Sequence, residues 1–256
     1  MELIKTGDGS YTLWNREYRE SYHSREGAVL ESYYKHIRPG LEGVLWSFKS
    51  ELERGEVVEI LDICFGLGYN TLMTLRFRPV GVKVKILAPE LDKTLLSTLP
   101  NFRYPPELEG FKGILEELVQ TGRVAGEWGE ISLFIGDARD LLKGLPENSI
   151  HLCYQDPFSP RKNPELWTLE YFKELKRVLK PAGLLTTYSV ATPARYPLYR
   201  LGFHLYTHPY PFIRGGTIAS LAPLPFPPVN FEEKLARTQC RYYRERGGRV
   251  ELIGPK

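Results

Sequence analysis

The stretch that decides the fold is VVEILDICFGLGYN, residues 57–70. Its apolar first part, Val57–Leu61, predicts a buried strand, and Asn70–Phe77 predicts the helix that follows. Gly66 and Gly68 lie between them, where a tight turn needs residues without a Cβ atom. A strand, a glycine turn and a helix in this order begin an α/β unit, and the unpaired N–H groups at the helix start favour an anionic ligand.

Strands and helices alternate through the following residues. Further strands are predicted over 82–87, 131–135, 150–154 and 184–188, with helices over 111–121 and 169–179, which together indicate a mainly parallel sheet. Before this core we expect a hairpin within 1–20 and helices over 27–37 and 43–53, the first one ending at Arg38-Pro39-Gly40. After it come a proline-rich connector, 222–230, and a basic tail that we expect to be a short helix. The predicted division is an N-terminal element (1–54), an α/β core (55–221) and a C-terminal extension (222–256).

Composition narrows the class of protein. The 256 residues are 42% hydrophobic and 25% charged, as in a globular domain. No apolar run approaches the ~20 residues of a membrane helix, and the N-terminus does not resemble a signal peptide. The three cysteines are widely spaced, which predicts a reduced, cytoplasmic protein without disulfides. The five histidines lack metal-ligand spacing, so we expect no metal, and the lack of a membrane helix predicts no membrane contact. The net charge of +3 does not by itself indicate nucleic acid, and the oligomeric state stays open.

Acidic residues follow three successive predicted strands. Glu90 lies about 20 residues after the glycine turn, where a carboxylate accepts hydrogen bonds from ribose hydroxyls. Asp137, followed by Ala138, suits an adenine amino group, and Asp156 follows the next strand. Singly, each acid is more often a helix cap or a loop residue. Together with the glycine turn they favour one cofactor cleft, which NAD or S-adenosylmethionine would fit.

The glycine turn distinguishes these two cofactors. A dinucleotide site usually shows G-x-G-x-x-G, but Thr71 stands where the third glycine would be. The turn instead resembles the Asp-x-small-x-Gly-x-Gly loop of class I S-adenosylmethionine-dependent methyltransferases, which have a Rossmann-like sheet. This resemblance implies S-adenosylmethionine as the cofactor. It places these residues of the turn at the cofactor: Asp62, Cys64, Gly66, Gly68 and Asn70.

The second informative stretch is QDPFSPRKNPELWT, residues 155–168. Asp-Pro-Phe at a strand end resembles the loop of enzymes that methylate amino nitrogens. Methyl transfer needs a lone pair, and the Asp156 carboxylate would orient an amine or take its proton. Pro157 stiffens the loop, and Phe158 would pack against a flat base or the cofactor. The alternative is that Asp156 caps the turn before Pro160 and that Phe158 is ordinary core.

The whole of 155–168 resembles the Asp-Gly/Pro-Phe-(Ser/Ala)-Pro-x-Lys-Asn-Pro-x-(Leu/Met)-Trp-(Thr/Ser) motif of the MnmC-type methyltransferases. The resemblance implies N-methylation of 5-aminomethyl-(2-thio)uridine at the wobble position of tRNA, with Asp156 nearest the amine. The block YHSREGA…ES, from residue 22 to 32, implies that Tyr22, Ser24 and Glu31 close over the cofactor. The sequence lacks a second glycine motif for the flavin-dependent oxidase of bifunctional members. We therefore expect a stand-alone methyltransferase that receives tRNA already carrying the aminomethyl group.

Basic residues are the candidates for tRNA contacts. Arg161 and Lys162 lie beside the predicted chemistry and are expected to meet the anticodon backbone. In the tail, Arg237, Arg241 and Arg244 would share a helix face with a stacking tyrosine, or form a solvated basic face. Three other functions stay open at this point: methylation of another exocyclic or small amine, a non-catalytic tRNA-binding module, and an NAD-dependent oxidoreductase.

Overall fold

The chain begins with a small antiparallel sheet. The structure, a computed structural model, describes residues 1–210, 213–237 and 239–254. Strands β1 (Glu2–Lys5), β2 (Tyr11–Asn15) and β3 (Glu20–Ser21) pair in that order. The β1–β2 turn is held by Asp8, whose Oδ1 accepts hydrogen bonds from the Ser10 backbone N–H (3.0 Å) and the Thr6 hydroxyl (2.8 Å). The predicted hairpin is therefore confirmed, with one strand added.

A nearly continuous helical segment follows. It consists of α1 (Ala28–Ser32), a π-helical turn (Tyr33–Ile37), α2 (Arg38–Ser47) and, after Phe48, α3 (Lys49–Glu53). The predicted stop at Arg38-Pro39-Gly40 is wrong. Pro39 lies in the first turn of α2, where a missing N–H costs little. A Cβ on Gly40 would lie 3.0 Å from Leu152 Cδ2, so this glycine lets α2 approach the sheet closely.

The core is an eight-stranded sheet with the order β10-β11-β9-β8-β4-β5-β7-β6. Its central strands β9, β8, β4, β5 and β7 are parallel, and the edge strands β6, β11 and β10 join by antiparallel pairs. The predicted parallel α/β core is confirmed, whereas the antiparallel edges were not predicted. The strands are β4 (Val58–Ile63), β5 (Val84–Glu90), β6 (Arg123–Gly126), β7 (Gly129–Ile135), β8 (Ile150–Gln155), β9 (Leu179–Thr187), β10 (His204–Tyr206) and β11 (Thr217–Ser220).

Helices cover both faces of this sheet. They are α4 (Tyr69–Phe77), α5 (Lys93–Thr98), α6 (Pro106–Glu109), α7 (Lys112–Thr121), α8 (Ala138–Gly144), α9 (Leu169–Val178) and α10 (Thr192–Arg200). The buried apolar side chains form two clusters. Ile60 belongs to the first cluster and Leu61 to the second, because successive strand residues point to opposite faces. The first cluster also holds Ile37, so the N-terminal helices and the core share one packed interior.

The C-terminal extension differs from the expected helix. Only α11 (Phe231–Arg237) is helical, and β12 (Tyr242–Arg246) and β13 (Arg249–Ile253) form a hairpin. Gly247 and Gly248 both have positive φ, 56° and 76°, which is the backbone of a tight two-residue hairpin turn. The expected helix is wrong because a Gly-Gly pair between two short strands favours a hairpin, and this local signal outweighs the run of arginines. No helix in the described ranges is long and apolar enough to cross a membrane.

Candidate active site

A cleft of about 900 Å³ lies at the carboxyl ends of the central strands. Its size falls within the range of small-molecule and cofactor sites. Most of the predicted site residues line it: Tyr22, Ser24, Glu31, Cys64, Gly66, Asn70, Glu90, Asp137, Ala138, Asp156, Pro157, Phe158 and Lys162. Residues from five separate segments of the chain therefore meet in one cavity.

The glycine turn forms one wall of the cleft. Gly66 and Gly68 have φ of 57° and 74°, and Cys64, with φ of 63°, also adopts this left-handed conformation. The Gly66 N–H donates to Glu90 Oε2 (2.9 Å), which ties the turn to the end of β5. Gly68 starts α4 behind the cleft wall, where a Cβ would lie 2.9 Å from Phe65 Cζ. The turn thus has the tight backbone that its sequence predicts.

Two acids occupy neighbouring strand ends. Glu90 is almost fully buried, and its Oε1 accepts from the Asp92 N–H at 2.8 Å. Burial raises the pKa of Glu90. Asp137 caps α8 by accepting from the Arg139 N–H (2.8 Å), and the Arg139 guanidinium contacts the same carboxylate. Burial alone would raise the pKa of Asp137, but the bonds from Arg139 outweigh it, so the pKa lies below its ordinary value.

Asp156 is held at the floor of the cleft by an amide. Asn70 Nδ2 donates to Asp156 Oδ2 at 2.9 Å, while Asn70 Oδ1 accepts from the Ser32 hydroxyl at 2.7 Å. Asp62 does not line the cleft. It lies fully buried beneath Asn70 and accepts from the Thr71 hydroxyl at 2.7 Å. Burial, reinforced by the nearby Asp156 carboxylate, raises the pKa of Asp62 to about 7.

His36 completes this network, although the sequence pattern does not mark it as a site residue. Its side chain is fully buried, with Nε2 3.3 Å from Asp156 Oδ1 and Nδ1 3.1 Å from the Thr186 hydroxyl. Burial by itself raises the pKa of Asp156, but His36, His23 and Asn70 together lower the pKa by more than burial raises it. The pKa of Asp156 therefore lies below its ordinary value. No local motif marks His36, because its partner is far away in the sequence.

The loop after Asp156 is fixed by hydrogen bonds to its carbonyl groups. The Tyr188 hydroxyl donates to the Pro157 carbonyl (2.9 Å), and the Trp167 indole donates to the Phe158 carbonyl (2.9 Å). The Phe158 ring stacks on Tyr18, with centroids 4.5 Å apart and an interplanar angle of 20°. The described hydrogen bonds of Asp156 go to a side chain and not to the turn, so the capping alternative gains no support. Phe158 is half-buried in the cleft wall and does not belong to either core cluster.

The N-terminal sheet and α1 provide the opposite wall. Tyr22 receives a hydrogen bond from Asn15 Nδ2 (3.0 Å), and its ring lies 3.4 Å from the position that a Cβ on Gly66 would occupy. The Ser24 N–H donates to the Glu31 carboxylate, which also pairs with Lys35. Tyr22, Ser24 and Glu31 of the block from 22 to 32 therefore line the same cleft as the glycine turn.

The predicted tRNA-contacting cations are distributed unequally. Lys162 lies at the rim of the cleft, and Arg161 beside it is exposed. The tail arginines lie outside the cleft wall. Arg237 pairs with Glu233, and Arg244 with Glu170 on α9. Arg241 is exposed. Within the described ranges, no group of three or more His, Cys, Asp and Glu side chains could hold a metal ion.

Comparison with known proteins identifies the class. A family model described as S-adenosyl-L-methionine-dependent methyltransferase matches residues 111–220. The solved structure of MNMC2 from Aquifex aeolicus is 33% identical, covers 91% of this chain and 74% of its own, and superposes with a TM-score of 0.77. An uncharacterized protein of Methanocaldococcus jannaschii is 30% identical over 78% of this chain and 54% of its own length. The tRNA 5-methylaminomethyl-2-thiouridine biosynthesis bifunctional protein MnmC of Pseudomonas fluorescens is 28% identical over 75% of this chain and 30% of its own.

The fold and the cleft define a class I methyltransferase, with S-adenosyl-L-methionine as its cofactor. The chain belongs to the MnmC-type S-adenosyl-L-methionine-dependent methyltransferases, so the resemblance read from residues 155–168 is confirmed. It spans about half the length of the archaeal relative and about a third of the bifunctional protein. The NAD-dependent alternative gains no support from these relatives.

Proposed function

We propose that the protein transfers a methyl group to the primary amine of 5-aminomethyl-(2-thio)uridine at the wobble position of tRNA. The observation that carries this proposal is the placement of Asp156 at the floor of the cleft, beside the Phe158 and Tyr18 rings. A carboxylate in that place accepts the N–H of an amine, and flat rings beside it suit a pyrimidine. The product would be 5-methylaminomethyl-(2-thio)uridine.

The cleft residues fit the cofactor. Gly66 has no side chain to fill the space next to Tyr22, and the Glu90 carboxylate lies at the end of β5, where a ribose would be bound. Asp137 and Ala138 at the start of α8 would meet the adenine. When bound, S-adenosylmethionine supplies an electrophilic methyl group on a sulfonium. The protein then has to present a nitrogen lone pair to it.

Asp156 has the properties that this presentation requires. Its lowered pKa keeps the carboxylate ionised at neutral pH, so that it accepts hydrogen bonds and does not donate them. Asn70 occupies Oδ2, which fixes the plane of the carboxylate. An amine whose N–H points to this carboxylate has its lone pair directed away from Asp156, toward the neighbouring cofactor space. Orientation of this kind is a large part of the rate enhancement of bound reactants.

The aromatic residues around Asp156 would hold the nucleobase. Tyr18 and Tyr22 both contact Phe158, with ring centroids at 4.5 and 5.0 Å. Sequence-specific RNA proteins commonly stack unpaired bases on such rings. Tyr18 was not singled out from the sequence, because it lies in a turn without any motif. Glu20, at the start of β3 just after this turn, accepts a hydrogen bond from the Ser159 hydroxyl at 2.9 Å, which joins the N-terminal sheet to the Asp156 loop.

The anticodon backbone would be bound by exposed cations near the cleft. Arg161 and Lys162 are exposed and form no ion pair within the part of the chain that the structure describes. Arg237 and Arg244 already pair with glutamates, which leaves Arg241 as the exposed tail candidate for a phosphate contact. We therefore assign the principal phosphate contacts to Arg161 and Lys162.

The test is methyl transfer from labelled S-adenosylmethionine to tRNA that carries 5-aminomethyluridine, followed by nucleoside digestion and mass analysis. We expect a mass gain of one methyl group on that nucleoside and none on the same tRNA with an unmodified wobble uridine. The free aminomethyluridine nucleoside and simple primary amines are included as competing acceptors. Transfer to the amines but not to the tRNA would contradict the proposal and favour a small-molecule methyltransferase.

A further inference from the structure

His36 is a buried titratable group that the proposed chemistry has not yet used. None of its side chain is exposed, and its Nδ1 is satisfied by the Thr186 hydroxyl at 3.1 Å. Its Nε2 is buried and forms no hydrogen bond in the structure, yet it lies 3.3 Å from Asp156 Oδ1. Buried polar atoms are nearly always paired, so an orphaned ring nitrogen facing a carboxylate needs an explanation.

The local backbone is built to place this ring. His36 lies in the π-helical turn Tyr33–Ile37 between α1 and α2. Single π-helical turns within α-helices are uncommon and occur frequently at functional sites. Because this turn is wider than an α-helical one, it changes which side chains face inward, and here both His36 and Ile37 are buried. The wider turn thus directs the imidazole to the floor of the cleft.

The titratable side chains around His36 include two acidic residues. Asp156 faces it from the loop after β8, and Asp62 faces the same region from β4. His23 approaches from the segment before α1, and burial lowers the pKa of His23. The Tyr154 ring meets His36 edge-on at 6.0 Å. In the neutral tautomer whose Nδ1–H is donated to Thr186, Nε2 carries no hydrogen and faces the Asp156 carboxylate.

We infer that His36 is a positioning residue that orients Asp156 and receives, through it, the proton of the acceptor ammonium. This inference rests on the proposed function. The N–H bond of the ammonium breaks, and its electron pair stays on nitrogen as the nucleophile. The proton passes by way of the Asp156 carboxylate to His36 Nε2, forming an imidazolium. After methyl transfer it returns through Asp156 to water in the cleft, so that one proton is released per turnover.

Two general properties explain why Asp156 needs a second base to hold the proton of the ammonium. An alkyl ammonium ordinarily loses its proton near pH 10, well above neutrality. A carboxyl group ordinarily loses its proton near pH 4, so the Asp156 carboxylate by itself is a weak base and holds that proton poorly. Imidazole is the side chain whose protonation ordinarily changes near neutral pH. In this pair, Asp156 accepts the hydrogen bond from the amine, and His36, which does not touch the amine, acts as the base.

The test compares the pH dependence of turnover in matched variants. His36→Gln keeps a polar side chain but cannot be protonated, and His151→Gln removes another buried imidazole outside the cleft. We expect His36→Gln to reduce turnover about 10²-fold at pH 7. The loss should shrink to a few-fold at pH 9.5, where the amine deprotonates without help. Any effect of His151→Gln should be independent of pH. A pH-independent loss in His36→Gln, or no loss at pH 7, would overturn the inference.

Two further measurements test the role of His36 if His36→Gln does not fold or if activity alone does not decide. If His36→Gln does not fold, Thr186→Val takes its place. This variant removes the Nδ1 partner with little change of shape and should show a weaker form of the pH-dependent loss of turnover. Independently of activity, the ring-nitrogen NMR signals of His36 should shift when Asp156→Asn removes the facing carboxylate. Unmoved signals would refute the pairing. Inactivity of the wild-type protein on aminomethyl tRNA would refute the proposed function instead, while the NMR result would still stand.

Discussion

Replacing Asp156 with asparagine tests the acceptor site while preserving its shape. Asn70 Nδ2 donates to one carboxylate oxygen at 2.9 Å, so the single carbonyl oxygen of an asparagine would be kept there. The NH2 group would then occupy the Oδ1 position beside His36. An NH2 group donates hydrogen bonds and cannot accept the N–H of an amine. The substitution thus removes the acceptor function and the charge, with almost no change in volume.

The expected loss of turnover follows from the missing hydrogen-bond acceptor and the missing charge. A hydrogen bond to a charged group is worth about 1.5–3 kcal/mol, and general-base or positioning groups contribute roughly 10²–10⁴ in rate. We expect Asp156→Asn to lower turnover by about 10³-fold, or roughly 4 kcal/mol in the activation free energy. Cofactor affinity should change little, because the asparagine carbonyl keeps the hydrogen bond from Asn70 and the Glu90 contact that holds the glycine turn is untouched.

The assay is single-turnover transfer of labelled methyl to aminomethyl tRNA, with S-adenosylhomocysteine binding measured by calorimetry. Asp140→Asn, an exposed position on α8, makes the same chemical change at a carboxylate that does not line the cleft. It should leave both readouts unchanged. Near-normal turnover in Asp156→Asn would refute the assigned role. Equal loss of turnover and S-adenosylhomocysteine binding would show that Asp156 serves the cofactor and not the amine.

Three other predictions concern the cofactor, stability and tRNA. Glu90→Gln should raise the Kd for S-adenosylhomocysteine about 10- to 100-fold in calorimetry, because one of the two oxygens that accept backbone N–H groups becomes a donor. Asp62→Asn should flatten the pH dependence of the free energy of unfolding between about pH 4 and 7. Burial raises the pKa of Asp62 from 3.8 to about 7, so its contribution is present at low pH and is lost as pH rises through 7, on the order of 4 kcal/mol in all. Arg161→Ala combined with Lys162→Ala should weaken tRNA binding most at low salt and reduce the slope of log affinity against log salt by about 1.5, whereas Arg244→Ala should change the slope little.

Each of these predictions has a result that would contradict it. The Glu90 prediction is contradicted if Glu90→Gln binds S-adenosylhomocysteine with unchanged affinity. The Asp62 prediction is contradicted if chemical denaturation gives the variant and the wild type the same pH dependence of the free energy of unfolding. For the basic pair it is a salt slope equal to that of the wild type in filter binding. A larger effect of Arg244→Ala would move the tRNA contact from the cleft rim to the tail.

Much of the core and the cofactor site was predictable because both depend on local patterns. Apolar runs marked the strands now seen as β4, β5, β7, β8 and part of β9. The turn around Gly66 and the acids Glu90 and Asp137 follow those strands directly, and parallel strands bring their carboxyl ends to one edge. Their meeting in one cleft therefore follows from the order of elements alone.

Two of the failures have a different cause, which is contact between distant segments, whereas the tail hairpin follows from the local Gly247-Gly248 turn. Gly40 and Pro39 looked like a helix stop, but Gly40 allows close packing of α2 on Leu152 of β8, and this contact does not exist in the isolated segment. The edge strands β10 and β11 are short, and their pairing with β9 decides their conformation. In the tail, the pairing of Arg244 with Glu170 on α9 accompanies a hairpin in place of the expected helix.

The class of protein, its cofactor and the acid that we propose for the acceptor site could all be predicted from sequence, because each is encoded by residues close together along the chain. Only the tertiary structure decided how that acid is supported. Asn70 follows the glycine turn, His36 lies in a π-helical turn and Thr186 lies near the end of β9. Asn70 and His36 contact Asp156 directly, and Thr186 contacts His36. Convergence of this kind depends on strand order and helix packing, which bring together side chains that no sequence spacing relates.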